Sequence, residues 1–265
     1  MKPPGKELYR AHDELGIVSV IEDAGKRVLT FGNEIEQSAY DTQQPLHLYH
    51  RYTQLMLLGY LFVDRPHHCT LLGLGGGSLA RTLFHLLPHC RIDAVEQRAI
   101  VAEAAHQWFD LPRDKRLNIH IADAGDYLLD NPPATDLLFT DLYLAGGMDK
   151  QQAQQSYLAA CRSVLKPGGV LVANFWLGAG ATSFALNHSL QEVFDQQTLT
   201  VDIPDGNCVA FAFDGGLPKI QQKQFIHQAE ILGKQIATPM QRQARLFCYQ
   251  NRQQLRLRRV ELHRR

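Results

Sequence analysis

The sequence predicts an α/β fold: a doubly wound, mainly parallel Rossmann-like sheet preceded by a small N-terminal β lobe. Three observations carry this. From Thr70 onward, β-rich runs alternate with helical patterns, the signature of parallel strands joined by crossover helices. The first fifty residues instead hold short extended runs joined by tight turns. Between the two regions, "TLLGLGGGSLARTL" (residues 70–83) packs three consecutive glycines between an apolar run and a helical pattern.

In the N-terminal part, "GIVSVIED" and "KRVLTFGN" flank Ala24-Gly25, a hairpin turn, and "EIEQSAY" adds a further extended piece. The stretch "PLHLYHRYTQLMLLGYLF" reads as one helix. Its proline suits a first turn, and Leu48, Tyr52, Leu55, Met56 and Gly59 recur at helical spacing. Strand "TLLGLG" then leads into helix "SLARTLFHLL", "RIDAVE" into "RAIVAEAAHQWF", and "LNIHIAD" into the short helix "AGDYLLD". "TDLLFTDL" is followed by a loop and the helix "KQQAQQSYLAACRSVL". Lys166-Pro167-Gly168-Gly169 then turns the chain into "VLVANFW". "TLTVDI" and "NCVAFAF" have no helix between them, so they close one edge as an antiparallel pair. The chain thus divides into a β lobe with its connecting helix (1–65), an α/β domain (66–216) and a basic helical tail (217–265).

Composition narrows the function class. Lys and Arg (27) balance Asp and Glu (27), so nothing global favours nucleic acid or a membrane surface. The start lacks the apolar core of a signal peptide, and no apolar run approaches spanning length. Five scattered cysteines, without a CxxC pair, fit reduced thiols in the cytoplasm rather than a disulfide framework. No metal site is expected. His85, His89 and Cys90 have ligand spacing, but no third ligand cluster accompanies them. From Lys219 to Arg265 there are eleven Lys or Arg against Glu230 and Glu261. Such a tail could bind nucleic acid or a partner. With no aromatic stacking row, the favoured reading packs it on the domain through Phe225, Ile231, Leu232, Leu246 and Phe247.

A strand ending in Gly73-x-Gly75-x-Gly77 and opening a helix brings backbone N–H groups close to a ligand. The third glycine of the dinucleotide fingerprint falls on Ser78, and no Lys-Ser or Lys-Thr follows, which removes the phosphate-loop reading. Glu96, ending the next strand, lies where an acid meets ribose hydroxyls. NAD folds and S-adenosylmethionine folds share that feature. The later strands separate them: Asp123 and Ala124 end the third strand, where an adenine could be held, and Asp141 ends the fourth. With the antiparallel closing pair, this order looks like the S-adenosylmethionine-dependent transferase fold.

At these residues the chain resembles the polyamine aminopropyltransferases, or spermidine synthases, from about residue 15 to residue 213. Gln37 in "NEIEQS" matches the family's nucleotide-contacting glutamine, and Tyr49-His50 its Tyr-His pair, at a longer gap than usual. "GLGGGS" corresponds to GGGDGG, "ADA" to the adenine-side GDG, "DLYLA" to the catalytic DSSDP loop, and Pro204-Asp205-Gly206 to a closing PSG. The resemblance implies aminopropyl transfer from decarboxylated S-adenosylmethionine to a small amine acceptor. Asp141 would be the base, with Tyr49 and Tyr143 as further donors or acceptors. Gln37, His50, Gly73, Gly75, Gly77, Glu96, Asp123 and Ala124 would hold the nucleoside. The family often dimerises, which leaves a homodimer open.

Two departures fall on the substrate side. The aspartate of GGGDGG is Gly76, which predicts weaker discrimination against intact S-adenosylmethionine. The second aspartate of DSSDP is Leu144, which predicts weaker affinity for a dication such as putrescine. Three readings follow: an aminopropyltransferase with an altered acceptor, a transferase moving a methyl or aminocarboxypropyl group from intact S-adenosylmethionine, and a non-catalytic nucleoside-binding relative acting through its basic tail.

Overall fold

A computed structural model describes residues 5–178 and 184–257. The chain opens with a four-stranded antiparallel sheet, β1 (Lys6–Asp13), β2 (Gly16–Asp23), β3 (Lys26–Thr30) and β4 (Glu36–Asp41), paired in sequence order. The β2–β3 turn places Ala24 and Gly25 at φ 49° and 84°, the paired positive values of a type I′ hairpin. β1 was not foreseen, because its charged, alternating residues are mostly solvent-facing on an edge strand.

The predicted helix from Pro45 is shorter: α1 spans Arg51–Leu57 and tightens into a 3₁₀ turn, Leu58–Phe62. Tertiary bonds hold the preceding residues out of the helix. Arg81 Nε donates to the Pro45 carbonyl at 2.7 Å, the Leu48 N–H donates to Thr238 Oγ1 at 3.1 Å, and His47 Nδ1 meets the Ala237 carbonyl at 2.7 Å.

The main unit then runs β5 (His68–Leu72), α2 (Ser78–Leu86), β6 (Arg91–Glu96), α3 (Ala99–Trp108), β7 (Leu117–Ile121), α4 (Ala124–Leu129) and β8 (Thr135–Thr140). A two-residue hairpin follows, β9 (Tyr143–Leu144) with β10 (Gly147–Met148), then α5 (Gln155–Ser163) and β11 (Leu165–Trp176). The chain closes with α6 (Phe184–Val193), β12 (Thr198–Asp202), β13 (Asn207–Phe213), α7 (Gln222–Gln235) and α8 (Met240–Gln250). The seven-stranded sheet has the order β12-β13-β11-β8-β5-β6-β7, in which β13 runs antiparallel to both its neighbours, β12 and β11, and the other pairs are parallel. This is the predicted α/β fold with its antiparallel closing pair. The predicted helix from Lys150 instead begins as a 3₁₀ turn (Lys150–Ala153). There Gln152 is buried and turned inward to bond Thr140, Leu142 and Asn174.

Apolar faces join the parts. Val18, Val20, Leu29, Phe31 and Tyr40 of the lobe pack on Val101, Ala104 and Phe109 at α3, and Arg98 grips Asp13 with two bonds, 2.9 and 2.7 Å. Phe225 of α7 and Phe247 of α8 pack with Phe62 and Phe211 at centroid distances of 5.1–5.7 Å. Buried Gln243 donates to Gln54 of α1 at 2.7 Å. Of the residues expected to dock this segment, Phe225, Leu232 and Phe247 are buried and Leu246 is partly so. Ile231 is a correction: it is 46% exposed, turned to solvent by its place on α7. The last four arginines and Glu261 lie outside the described residues.

Because Phe247 sits in a cluster of four rings, Phe247→Ala should destabilise the whole fold by about 3–5 kcal/mol. Urea denaturation followed by far-UV circular dichroism measures this. A loss under 1 kcal/mol would mean that 217–257 is an appendage rather than part of the core.

Candidate active site

The carboxyl ends of β5, β6, β8 and β11 meet the N-terminal sheet around a cavity of about 400 Å3. Its walls bring together Gln37, Tyr49, His50, Gly73, Gly75, Glu96, Asp123, Ala124, Asp141 and Tyr143. Gly77 is not among the lining residues. It turns the chain into α2 at φ 72°, where a Cβ would meet Leu111 at 2.8 Å.

On the glycine-loop side, Gly73 has φ 93°, and a Cβ there would lie 2.3 Å from the Asp141 carbonyl oxygen. No other residue allows the β5 and β8 ends to approach so closely. Glu96 is 9% exposed. Its Oε2 accepts from the N–H groups of Leu74 and Gly75, each at 3.3 Å, and its Oε1 from the Arg98 N–H at 3.0 Å. Burial raises its pKa, while these donors oppose that shift. Glu96 therefore shapes the loop as well as facing the cavity. Asp123 caps α4 by accepting from Gly125 and Asp126, and its other oxygen accepts from Gln151 Nε2 at 3.1 Å. Gln151 also donates to Asp149, so Asp123 and Asp149 are tied into one network.

Gly76 differs from its sequence reading. It does not line the cavity. A Cβ at this position would meet Ser38 Cβ at 2.8 Å and the Phe109 ring at 3.0 Å, and its N–H donates to Ser38 Oγ at 2.8 Å. The place of the family's acid is filled by protein, not left open.

Asp141 lies between the glycine loop and a wall of tyrosines. Burial raises its pKa to about 6, against the lowering effect of hydrogen bonds from Asn174 and Tyr52. Asn174, fully buried on β11, donates from Nδ2 to Asp141 Oδ1 at 2.9 Å and contacts the Tyr143 hydroxyl at 3.1 Å. Gln152 Nε2 anchors the Asn174 carbonyl at 2.6 Å, and its Oε1 accepts from Thr140 Oγ1 at 2.8 Å. Burial and then the Asp141 charge push the phenols of Tyr52 and Tyr143 upward, so both stay protonated donors. His50 stacks on Tyr52 at 5.6 Å, its pKa lowered by burial, and its Nε2 is buried without a hydrogen-bond partner.

Sequence reasoning missed Tyr52 and Asn174. The hydroxyl of Tyr49 points instead to Asp41 Oδ2 at 3.2 Å, so the tyrosine bonded to Asp141 lies three residues further on. Asn174 had one available signal, a polar residue inside the apolar run "VLVANFW". Among the described residues no His, Cys, Asp and Glu group could hold a metal ion, and no helix is long and apolar enough to cross a membrane.

This arrangement can hold a carboxyl group at a pKa near neutrality beside a pocket sized for a nucleoside. Its titration separates the two tyrosines. By carbonyl-selective NMR, Asp141 should titrate near pH 6. Tyr52→Phe should move the midpoint up by about one unit or more, since hydrogen bonds to a charged group contribute about 1.5–3 kcal/mol. Tyr49→Phe should leave it in place, and a wild-type midpoint near 4 would contradict the enclosure described.

A scan against protein-family models finds no match. Among curated proteins, a polyamine aminopropyltransferase of Neisseria meningitidis is 30% identical over 226 residues, 82% of this chain and 83% of the relative. A mouse eEF1A lysine and N-terminal methyltransferase is 33% identical over 124 residues, 43% of this chain and 18% of that protein. Among solved structures, a probable spermidine synthase from Corynebacterium glutamicum shares the fold with a TM-score of 0.71 at 19% identity, covering 89% of this chain and 95% of its own. Fold and extended sequence similarity thus agree: the chain is a transferase that belongs to the polyamine aminopropyltransferase family.

Proposed function

We propose that this chain transfers an aminopropyl group from decarboxylated S-adenosylmethionine to a primary amine, with Asp141 as the base. The observation that carries the reading is the Asp141 carboxyl, enclosed and raised to about 6, at the junction of the glycine loop with Tyr52 and Tyr143. Gln37, His50, Glu96, Asp123 and Ala124 line the part of the cavity that would hold the nucleoside. The unpartnered His50 Nε2 is a polar atom that such a ligand would satisfy.

Asp141 orients the acceptor ammonium by a charge-assisted hydrogen bond and takes one proton from it. The freed lone pair attacks the aminopropyl carbon bound to the sulfonium. The new N–C bond forms as the C–S bond breaks, and its electron pair stays on sulfur, leaving methylthioadenosine. Asn174 holds the Asp141 carboxylate in place while Tyr143 crowds the same point, so reactant positioning supplies much of the rate.

A second reading is methyl or aminocarboxypropyl transfer from intact S-adenosylmethionine. The similarity to a lysine methyltransferase favours it. Calorimetric titration with the decarboxylated nucleoside, the intact nucleoside and NAD separates the readings. Tighter binding of the decarboxylated form supports aminopropyl transfer. Equal or tighter binding of the intact form supports the second reading, and binding of NAD alone refutes both.

The Asp141 variant has two expected consequences. Asp141→Asn should leave nucleoside binding within about twofold and reduce transfer by at least a hundredfold, a loss typical of removing a general base. It should also change stability in a pH-dependent way. The folded pKa of about 6 lies above the ordinary 3.8. The folded state therefore holds this proton more tightly, and wild-type stability falls as pH rises from about 4 through 6, by about 3 kcal/mol in all. Wild type should lose that increment in urea titrations at pH 8 relative to pH 4, and Asp141→Asn should not. Transfer by wild type should rise tenfold per pH unit below 6. Transfer surviving in Asp141→Asn would show that another group takes the proton.

A further inference from the structure

The acids lining the cavity differ in how their charge is met. Glu36 pairs with Lys26 at 2.9 Å. Glu96 is met by three backbone N–H groups, Asp123 by the start of α4 and Gln151, and Asp149 by Gln151. Asp141 has Asn174 and Tyr52. Asp205 stands apart. It is exposed at the turn between β12 and β13, and its Oδ1 accepts only from its own neighbour Asn207, at 3.3 and 3.2 Å. Among the described residues it has no ion-pair partner.

Topology brings this turn to the Asp141 end of the sheet. Asn207 begins β13 opposite Trp176, the last residue of β11, and β11 sets Ala173 opposite Thr140 of β8. Asp141 and the Asp205 turn therefore leave the same end of the sheet, about 10 Å apart across two strand spacings, with the turn starting about 7 Å further along the strands. The same cavity wall carries Leu144 and Trp176, 39% and 46% exposed, and Gly147, where an added Cβ would meet the indole at 3.7 Å. The Asp205 charge reaches His50, Tyr52 and Tyr143, all on that wall. One cavity wall that carries apolar side chains and the Asp141 and Asp205 carboxylates is complementary to an alkyl chain with an ammonium at each end.

We propose that Asp205 determines acceptor specificity: its carboxylate receives the distal ammonium of a diamine whose other nitrogen lies at Asp141. It would supply, from the β12–β13 turn, the charge missing at Leu144. This assignment rests on the aminopropyl-transfer reading for its chemistry but not for its binding test. It also runs against the sequence-based expectation of weaker affinity for a dication.

The test is calorimetric titration of 1,4-diaminobutane and of butylamine into protein saturated with methylthioadenosine. Wild type should bind the diamine at least about fivefold more tightly, a preference that shrinks as salt is raised. Asp205→Asn keeps the turn's bond to Asn207. It should erase that preference while moving butylamine affinity less than twofold, and Asp205→Glu should restore it in part. Equal diamine affinity in wild type and Asp205→Asn, or no wild-type preference for the diamine, overturns the assignment. Transfer assays with the same amines report separately. A preference lost in Asp205→Asn without transfer to any amine would sustain Asp205 and refute aminopropyl transfer.

Discussion

A carboxylate taken out of water loses more solvation than a few hydrogen bonds return, and Asp141 is placed under that penalty. Much of the site follows from managing it. Asn174 and Tyr52 supply the donors, but each must itself be held. Gln152 anchors the Asn174 carbonyl and binds Thr140 and the Leu142 N–H, so one buried glutamine ties β8 to β11 below the carboxylate. Gly73 does the same for β5, since any side chain there would collide with the Asp141 carbonyl. The Asp141 N–H closes the arrangement on the Leu72 carbonyl at 2.9 Å. Three neighbouring strands are thus locked at their carboxyl ends. The residual mismatch between burial and donors leaves the carboxyl able to exchange a proton near neutral pH.

The glycine-loop half of the cavity solves a different problem. Its acids are spent largely on backbone N–H groups: Glu96 on the glycine loop and on Arg98, Asp123 on the first turn of α4. Each carboxylate oxygen can accept more than one bond, so a group that builds a loop can still meet a hydroxyl or an amine in the cavity. The lobe is held to this loop by Ser38, which accepts from Gly76, and by the two-bond grip of Arg98 on Asp13. The cavity roof and floor are therefore connected through the loop itself, not merely laid against each other.

How much of this is legible in sequence depends on the range of the interaction. Strand–helix alternation, the type I′ turn at Ala24-Gly25 and the antiparallel closing pair depend on local pattern, and they appear where the pattern places them. The helix at Pro45 fails because Arg81 and Thr238, far away in the chain, claim the groups that would have closed its first turn. The site divides in the same way. Glycines and acids at strand ends are found by counting along the chain. Choosing Tyr52 over Tyr49 requires knowing that Tyr49 meets Asp41, and Asn174 declares its role only once β11 lies beside β8.

Gly76 shows where reading one position at a time breaks down. A glycine in place of an acid suggests an opened pocket and a lost charge. The two ideas part company here, because Ser38 and Phe109 fill the space a side chain would take. With that space closed, removing the acid enlarges nothing, and admission of a cosubstrate carboxylate cannot be inferred from the missing side chain. Charge, unlike shape, acts across several ångströms and need not come from the same element. A cationic ligand responds to the field in the cavity, to which a turn between two antiparallel strands contributes as effectively as a loop after a parallel one. Asp205 occupies such a turn, at the end of the sheet where Asp141 already stands. A motif scored residue by residue therefore records two losses, whereas the assembled cavity also counts the Asp205 carboxylate on its wall.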